Sequence, residues 1–349
     1  MNRPINNLGI PPLAGLCSYE EACKPGYSVE HNVALLKRYN YVESWLNKIL
    51  AAHLAHTPEW EVKCAMSLHL WLDAEHSAAL RKRIAEMREP PLHLDKVPDA
   101  KLQSWLEELI RAQNTLELLV GIYRVAKPAL VRSLKQHLAE TNPLIDHPTC
   151  RVLKSIVQEE EEMIAWGEQA IAALTLTVAD STLAASWEMH LRAFLGHAGG
   201  ISGERAASTP QVLPTPRWDG ASYEMDVMPQ RDARFTNSFD QSHWKYVDVS
   251  LSQNQAMPQD EVAYALLYRR LREMDVPEYM APMIHQITGR PWEYYVEMSR
   301  QTWDEARHAM MGEVGLYQYG GAFYECPSEL EGSVGLNAGF GPVEAHVVL

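Results

Sequence analysis

Apolar positions recur at helical spacing over most of the chain, and the polar residues interrupting them carry the information. A first helix is predicted over 29–56, opening at Ser28, whose hydroxyl suits a helix start. Leu36, Glu43, Leu46 and Leu50 share one of its faces, so a carboxylate breaks an apolar stripe. A second helix, 58–88, follows Thr57-Pro58-Glu59, with Thr57 read as cap and Pro58 as the first helical residue. Its stripe is Met66, His69, Asp73, His76 and Leu80, while Glu75 points to solvent. Three ionisable groups on one apolar face exceed what packing needs. Glu43 lies fifteen residues before position 58 and Asp73 fifteen after it, so an antiparallel hairpin brings them to one depth.

Residues 89–98 hold three prolines and read as a connector. Helices follow at 100–122 and 129–140, with Pro128 expected to kink or end the first. Glu117 shares a half-apolar face with Ile110, Asn114 and Gly121 and reads equally as solvated or as a ligand. The next helix, 147–174, carries Glu159, Glu160, Glu161 and Glu162. Only Glu160 falls in the stripe Leu153, Ile156, Val157, Met163, Ile164 and Gly167, so it faces inward. A shorter helix, 181–196, holds Glu188 and His190 and reads as packing.

Periodicity then stops. Residues 199–256 are rich in Gly, Pro, Ser and Gln with scattered aromatics (Trp218, Tyr223, Phe235, Phe239, Trp244, Tyr246). An insert of fifty-eight residues is too long for an ordinary loop. It is expected to wrap the helices, as a lid or a spacer, with a short strand at 243–249. A last hairpin follows, 258–287 and 291–318. In its first arm Leu267, Leu271, Met274, Glu278, Ala281 and His285 form a stripe, so Glu278 faces inward beside Pro277. Glu273 is the rival: it matches Glu305 in depth, but Arg269 and Arg270 crowd its face. In the second arm Met298, Gln301, Thr302, Glu305, His308 and Gly312 share a face. Gly312 and Gly315 admit another helix or a substrate, and Asp304 and Arg307 read as supports or a surface pair. Residues 1–28 and 320–349 read as an extended arm and an extended tail.

At 349 residues, 46% apolar and 22% charged, the chain can bury a large core. A formal charge of -14 argues against a nucleic-acid partner. Five cysteines without a C-x-x-C suggest neither a disulfide framework nor a thiolate zinc site. No apolar run approaches twenty residues and no leader-like core precedes residue 30, so no membrane association and a cytoplasmic location are expected. No phosphate-binding glycine loop or serine elbow occurs.

Glu305-x-x-His308, Asp73-x-x-His76, mid-helix Glu43 and the Glu159–Glu162 run together resemble the ferritin-like di-iron carboxylate superfamily. The resemblance covers the helices, not the arm, insert or tail. It implies an all-α, ferritin-like antiparallel bundle over 29–198, with the 257–319 hairpin completing a site for two iron ions, or manganese. Joining the first and last hairpins gives Glu43, Asp73, His76, Glu278, Glu305 and His308, with Glu160 as an additional ligand. Joining the first hairpin to 100–174 instead adds Glu117 and Glu160, with one histidine, and leaves Glu305 and His308 unexplained. Two departures stand out: Asp73 replaces a glutamate, and Met163 stands where a histidine belongs, a poor ligand for a hard ion. The implied function is an oxidoreductase that activates dioxygen to oxidise a small organic substrate at a C–H bond or an amine. It needs an external electron donor and is compatible with a homodimer. The rival expectations are a ferroxidase or metal store, a scaffold with a vestigial site, and a two-metal hydrolase.

Overall fold

The computed structural model describes residues 7–204, 212–238, 242, 246, 257–327 and 330–348, and the fold is all-α, with no strand among them. The helices are α1 (Tyr19–Ala22), α2 (Val29–Leu54), α3 (Trp60–Met87), α4 (Ala100–Leu109) and α5 (Thr115–Leu119). A π-helical segment, Val120–Ala126, runs directly into α6 (Lys127–Glu140). Then come α7 (His147–Leu174), α8 (Val178–His197), α9 (Gln259–Arg272), α10 (Asp275–Gln286), α11 (Trp292–Gln318), α12 (Glu331–Gly339) and α13 (Pro342–Val348).

Helix α2 is buried on nearly every side from Asn32 to Ala55, as its dense Leu, Ile, Val and Ala content requires. Three of its polar residues, Asn40, Glu43 and Asn47, fall about one turn apart and are fully buried. Asn40 Oδ1 accepts from Ser77 Oγ (2.8 Å), and Asn47 Nδ2 donates to Leu70 O (2.7 Å). These bonds fix how α2 lies along α3, and so the depth of Glu43. At the turn, Thr57 does not cap α3. Its hydroxyl donates back to His53 O (2.8 Å), a last-turn carbonyl of α2, and α3 begins at Trp60.

Pro128 neither ends nor breaks its helix. The chain widens ahead of it: the Lys127 N–H bonds to Ile122 O, five residues back. The carbonyl that Pro128 cannot serve, Arg124 O, accepts from Arg192 Nη2 at 3.1 Å. Pro277 does interrupt the helix expected over 258–287. The break falls at Glu273 and Met274, where the proline ring would strike the carbonyl four residues back. Pro282 lies inside α10, and the carbonyl it leaves, Glu278 O, accepts from Asn337 Nδ2 (3.1 Å) of α12. The last thirty residues are therefore not an extended tail. They hold α12 and α13, and Ser333 and Asn337 fasten α12 to α10.

Gly312 admits a helix: a Cβ there would lie 2.4 Å from Leu271 N of α9. The strand expected over 243–249, and Phe239 and Trp244, lie outside the described residues apart from Tyr246. Two compact units can be distinguished, one of residues 1–42, 76–109 and 116–217, the other of 43–75, 110–115 and 218–349. Helices α2 and α3 each run uninterrupted through both. In the first, α6 packs on α7 and α4 on α8; in the second, α9 and α10 pack on α11. No helix among the described residues is long and apolar enough to cross a membrane.

Candidate metal centre

Four side chains converge: Glu43 of α2, Asp73 and His76 of α3, and Glu160 of α7. One donor atom from each lies within 4.8 Å of the others, and all four residues are buried. The reasons are local. Asp73 and His76 are one turn apart on α3, the α2–α3 hydrogen bonds set the depth of Glu43, and Glu160 occupies the inward stripe of α7.

The histidine is oriented. His76 Nε2 bonds to Glu159 Oε2 at 2.7 Å, and this bond holds the Glu159 carboxyl below its usual range. Nδ1 faces Glu160 Oε1 at 3.6 Å, beyond hydrogen-bond length. With the Nε2 proton on Glu159, the Nδ1 lone pair points at the carboxylates, the arrangement that orients a metal-binding imidazole. Glu160 is fully buried, and burial pushes its carboxyl up. The Lys127 ammonium beside it opposes this, and the carboxyl lies below the usual carboxylate range.

Lys127 is the unexpected member. Its Nζ donates to Glu160 Oε1 at 2.8 Å, and neither side chain is exposed. Three carboxylates and one ammonium leave a formal charge of two negative with His76 neutral, matching one divalent cation. The donor set of hard oxygens and one imidazole suits iron or manganese, so the residues fit one such ion.

Glu305 and His308 do not join this cluster. They form another with Glu273, half-buried, again with donors within 4.8 Å. His308 Nδ1 lies 3.0 Å from Glu273 Oε2 and 3.1 Å from Glu305 Oε2. Arg270 binds both oxygens of Glu273 at 2.8 Å, and Gln301 donates to Glu305. The break ahead of Pro277 decides the choice of acid, leaving Glu273 at the end of α9 and turning Glu278 elsewhere.

Glu278 sits in a buried ion network. Its carboxylate accepts from Lys63 Nζ, Arg231 Nη1 and Ser333 Oγ. Burial pushes Glu278 up, but Arg231 and Lys63 leave it lowered. Glu117, weighed as a ligand, binds Arg217 through two hydrogen bonds, 2.6 and 2.9 Å.

In the sequence Lys63 and Lys127 read as surface residues, as lysine ordinarily does. The signal was present. Lys63 extends the Met66–Asp73 stripe back one turn, and Lys127 lies with Tyr123, Leu130 and Leu134 on the buried stripe of its helix. No protein-family model matches the chain, and neither a curated protein nor a solved structure matches it.

Proposed function

We propose that the protein is a metal-dependent oxidoreductase whose ion is held by Glu43, Asp73, His76 and Glu160, a variation on the ferritin-like carboxylate site that the sequence resembles. The observation that carries this reading is the convergence of four buried donors from three helices within 4.8 Å. Bound iron or manganese would supply a redox centre that activates dioxygen against a C–H bond or amine of a small organic substrate, with electrons from an external donor. Glu43, Asp73 and Glu160 offer oxygen ligands, and full burial excludes bulk water from them. Glu159 keeps the His76 ring turned inward. Lys127 neutralises one carboxylate, which favours one ion over two. The deciding measurement is metal content of protein purified without chelators, followed by dioxygen uptake after anaerobic reduction. The reading expects about one ion per chain, lost on Glu160→Gln. Loaded, reduced protein that leaves dioxygen untouched would remove the oxidoreductase assignment.

One observation favours a second reading, a helical scaffold without metal. The Lys127 ammonium already lies against Glu160, where it can stand in for a cation. This reading expects metal-free protein whose thermal stability ignores both chelators and added iron.

A further inference from the structure

Away from the metal-binding cluster, the first unit contains a second buried acidic pocket, and its occupant belongs to the chain itself. Glu108 of α4 and Glu117 of α5 are fully buried. Isolated carboxylates at that depth would be costly. Arg217 of the insert lies between them. Its two terminal nitrogens meet the two oxygens of Glu117 at 2.6 and 2.9 Å, a fork-to-fork pair. Its backbone N–H donates to Glu108 Oε2 at 2.8 Å. The guanidinium plane covers the Trp187 ring, with Cζ 3.8 Å from the ring centroid. His190 of α8 stacks on Trp187 at 5.0 Å and bonds through Nε2 to Glu108 Oε2 at 2.7 Å, fixing the floor and one wall.

A bidentate carboxylate and an aromatic face are what a protein uses to select a planar cation, and Glu108 holds the backbone beside it. The Arg217 side chain is about a quarter exposed, 27%, while Glu117 is at 1%, so the pocket opens on the insert's side. We infer that Glu108, Glu117, Trp187 and His190 form a guanidinium-recognition site, with Arg217 as its tethered ligand. The insert is fastened to α4, α5 and α8 by a ligand-like contact. The ligand class is a guanidinium, with a lysine-type ammonium second because it cannot span both Glu117 oxygens.

Chemical rescue tests this in the full-length chain. Arg217→Ala leaves the pocket vacant and buried Glu117 without its guanidinium. Thermal unfolding of wild type, Arg217→Ala and Arg217→Ala/Glu117→Gln is followed while low-millimolar guanidinium chloride or agmatine is added, against sodium chloride at equal ionic strength. The single variant should regain stability saturably with both guanidinium compounds and not with sodium chloride. Wild type and the double variant should not respond. A folded single variant without a saturable response, or a double variant that responds equally, overturns the assignment. Should Arg217→Ala not fold, Arg217→Lys keeps the charge and loses the fork. Proteolysis near residue 217 should then be at least about tenfold faster than in wild type. Equal cleavage rates would also overturn it.

Discussion

The two Glu/His clusters differ in a way their motifs do not foretell. Glu305-x-x-His308 has the better motif, yet its cluster is half-buried, and Arg270 and Gln301 already occupy its carboxylates. Asp73-x-x-His76 has the shorter acid and no second such pair on α7, where Met163 stands, yet its cluster is entirely buried. Helical spacing aligns two donors on one face, and the packing of that face decides whether water or protein meets them. The cost of an unmatched charge rises steeply with burial. The interior cluster is therefore the one under pressure to hold a cation, whether an ion or Lys127.

The sharpest way to break this contrast is to disable each cluster in turn. Glu160→Gln and His76→Ala should each lower metal affinity by more than about tenfold. Glu305→Gln and His308→Ala should leave it within about twofold. Equilibrium dialysis with ferrous or manganous ion under anaerobic conditions measures both. An equal loss from both clusters would erase the distinction.

Next in size is the buried ammonium. Lys127→Met should destabilise metal-free protein by about 3–5 kcal/mol, because Glu160 keeps its charge without a partner. Arg270→Ala, beside the half-buried cluster, should cost about 1 kcal/mol or less, since Arg270 is about half exposed. Urea unfolding compares the two. Added divalent metal should restore the Lys127 variant preferentially if ammonium and ion do the same job.

A smaller effect concerns pH and the ion network around Glu278. Burial, with the Glu278 charge beside it, pushes the Asp275 carboxyl from 3.8 up to about 7, despite Arg231 and Arg272. The folded state thus keeps a proton that the unfolded chain releases. The stability this provides is full below about pH 4 and is lost as pH rises through 7. Lys63 runs the other way: burial depresses it from 10.5 to about 8 despite Glu278, so its contribution is full above about 10.5 and is lost as pH falls through 8. Asp275→Asn should flatten the stability profile between pH 4 and 7 and leave the alkaline limb unchanged, as read by thermal unfolding across that range.

The smallest effect belongs to the exposed face of α11. Arg300 joins Glu297 and Asp304 there, half exposed, and Arg300→Ala should shift stability by about 0.5 kcal/mol or less.

Much of this is legible in the sequence, for reasons that can be located. Helix α7 is legible because its apolar period is strong, and α2, buried on nearly every side, from its length and its start signal. The meeting of Glu43 with Asp73 followed from equal distances to one turn, and the inward face of Glu160 from its stripe. Two of the obscured features share a cause, which is what a proline does to the backbone. Pro128 reads as a kink or an end, which hides the alignment of Lys127, just before it, with Glu160. Pro277 looked like a kink at its own position, whereas the break falls four residues earlier and exchanges Glu278 for Glu273. The helical tail was hidden because Gly332, Gly335, Gly339 and Gly341 weaken the local signal. Its order comes from contacts with α10.

The widened turn at Val120–Ala126 bears on insertions and deletions. A π turn accommodates one residue more than an α-helical ladder requires. Removing a single residue there could restore ordinary winding while Glu117 and Lys127 keep their present directions. The same deletion between α5 and α6 in an already regular helix would rotate everything beyond it by about 100°. Length variants should therefore be tolerated at this one spot of the α5–α6 rod and rejected on either side.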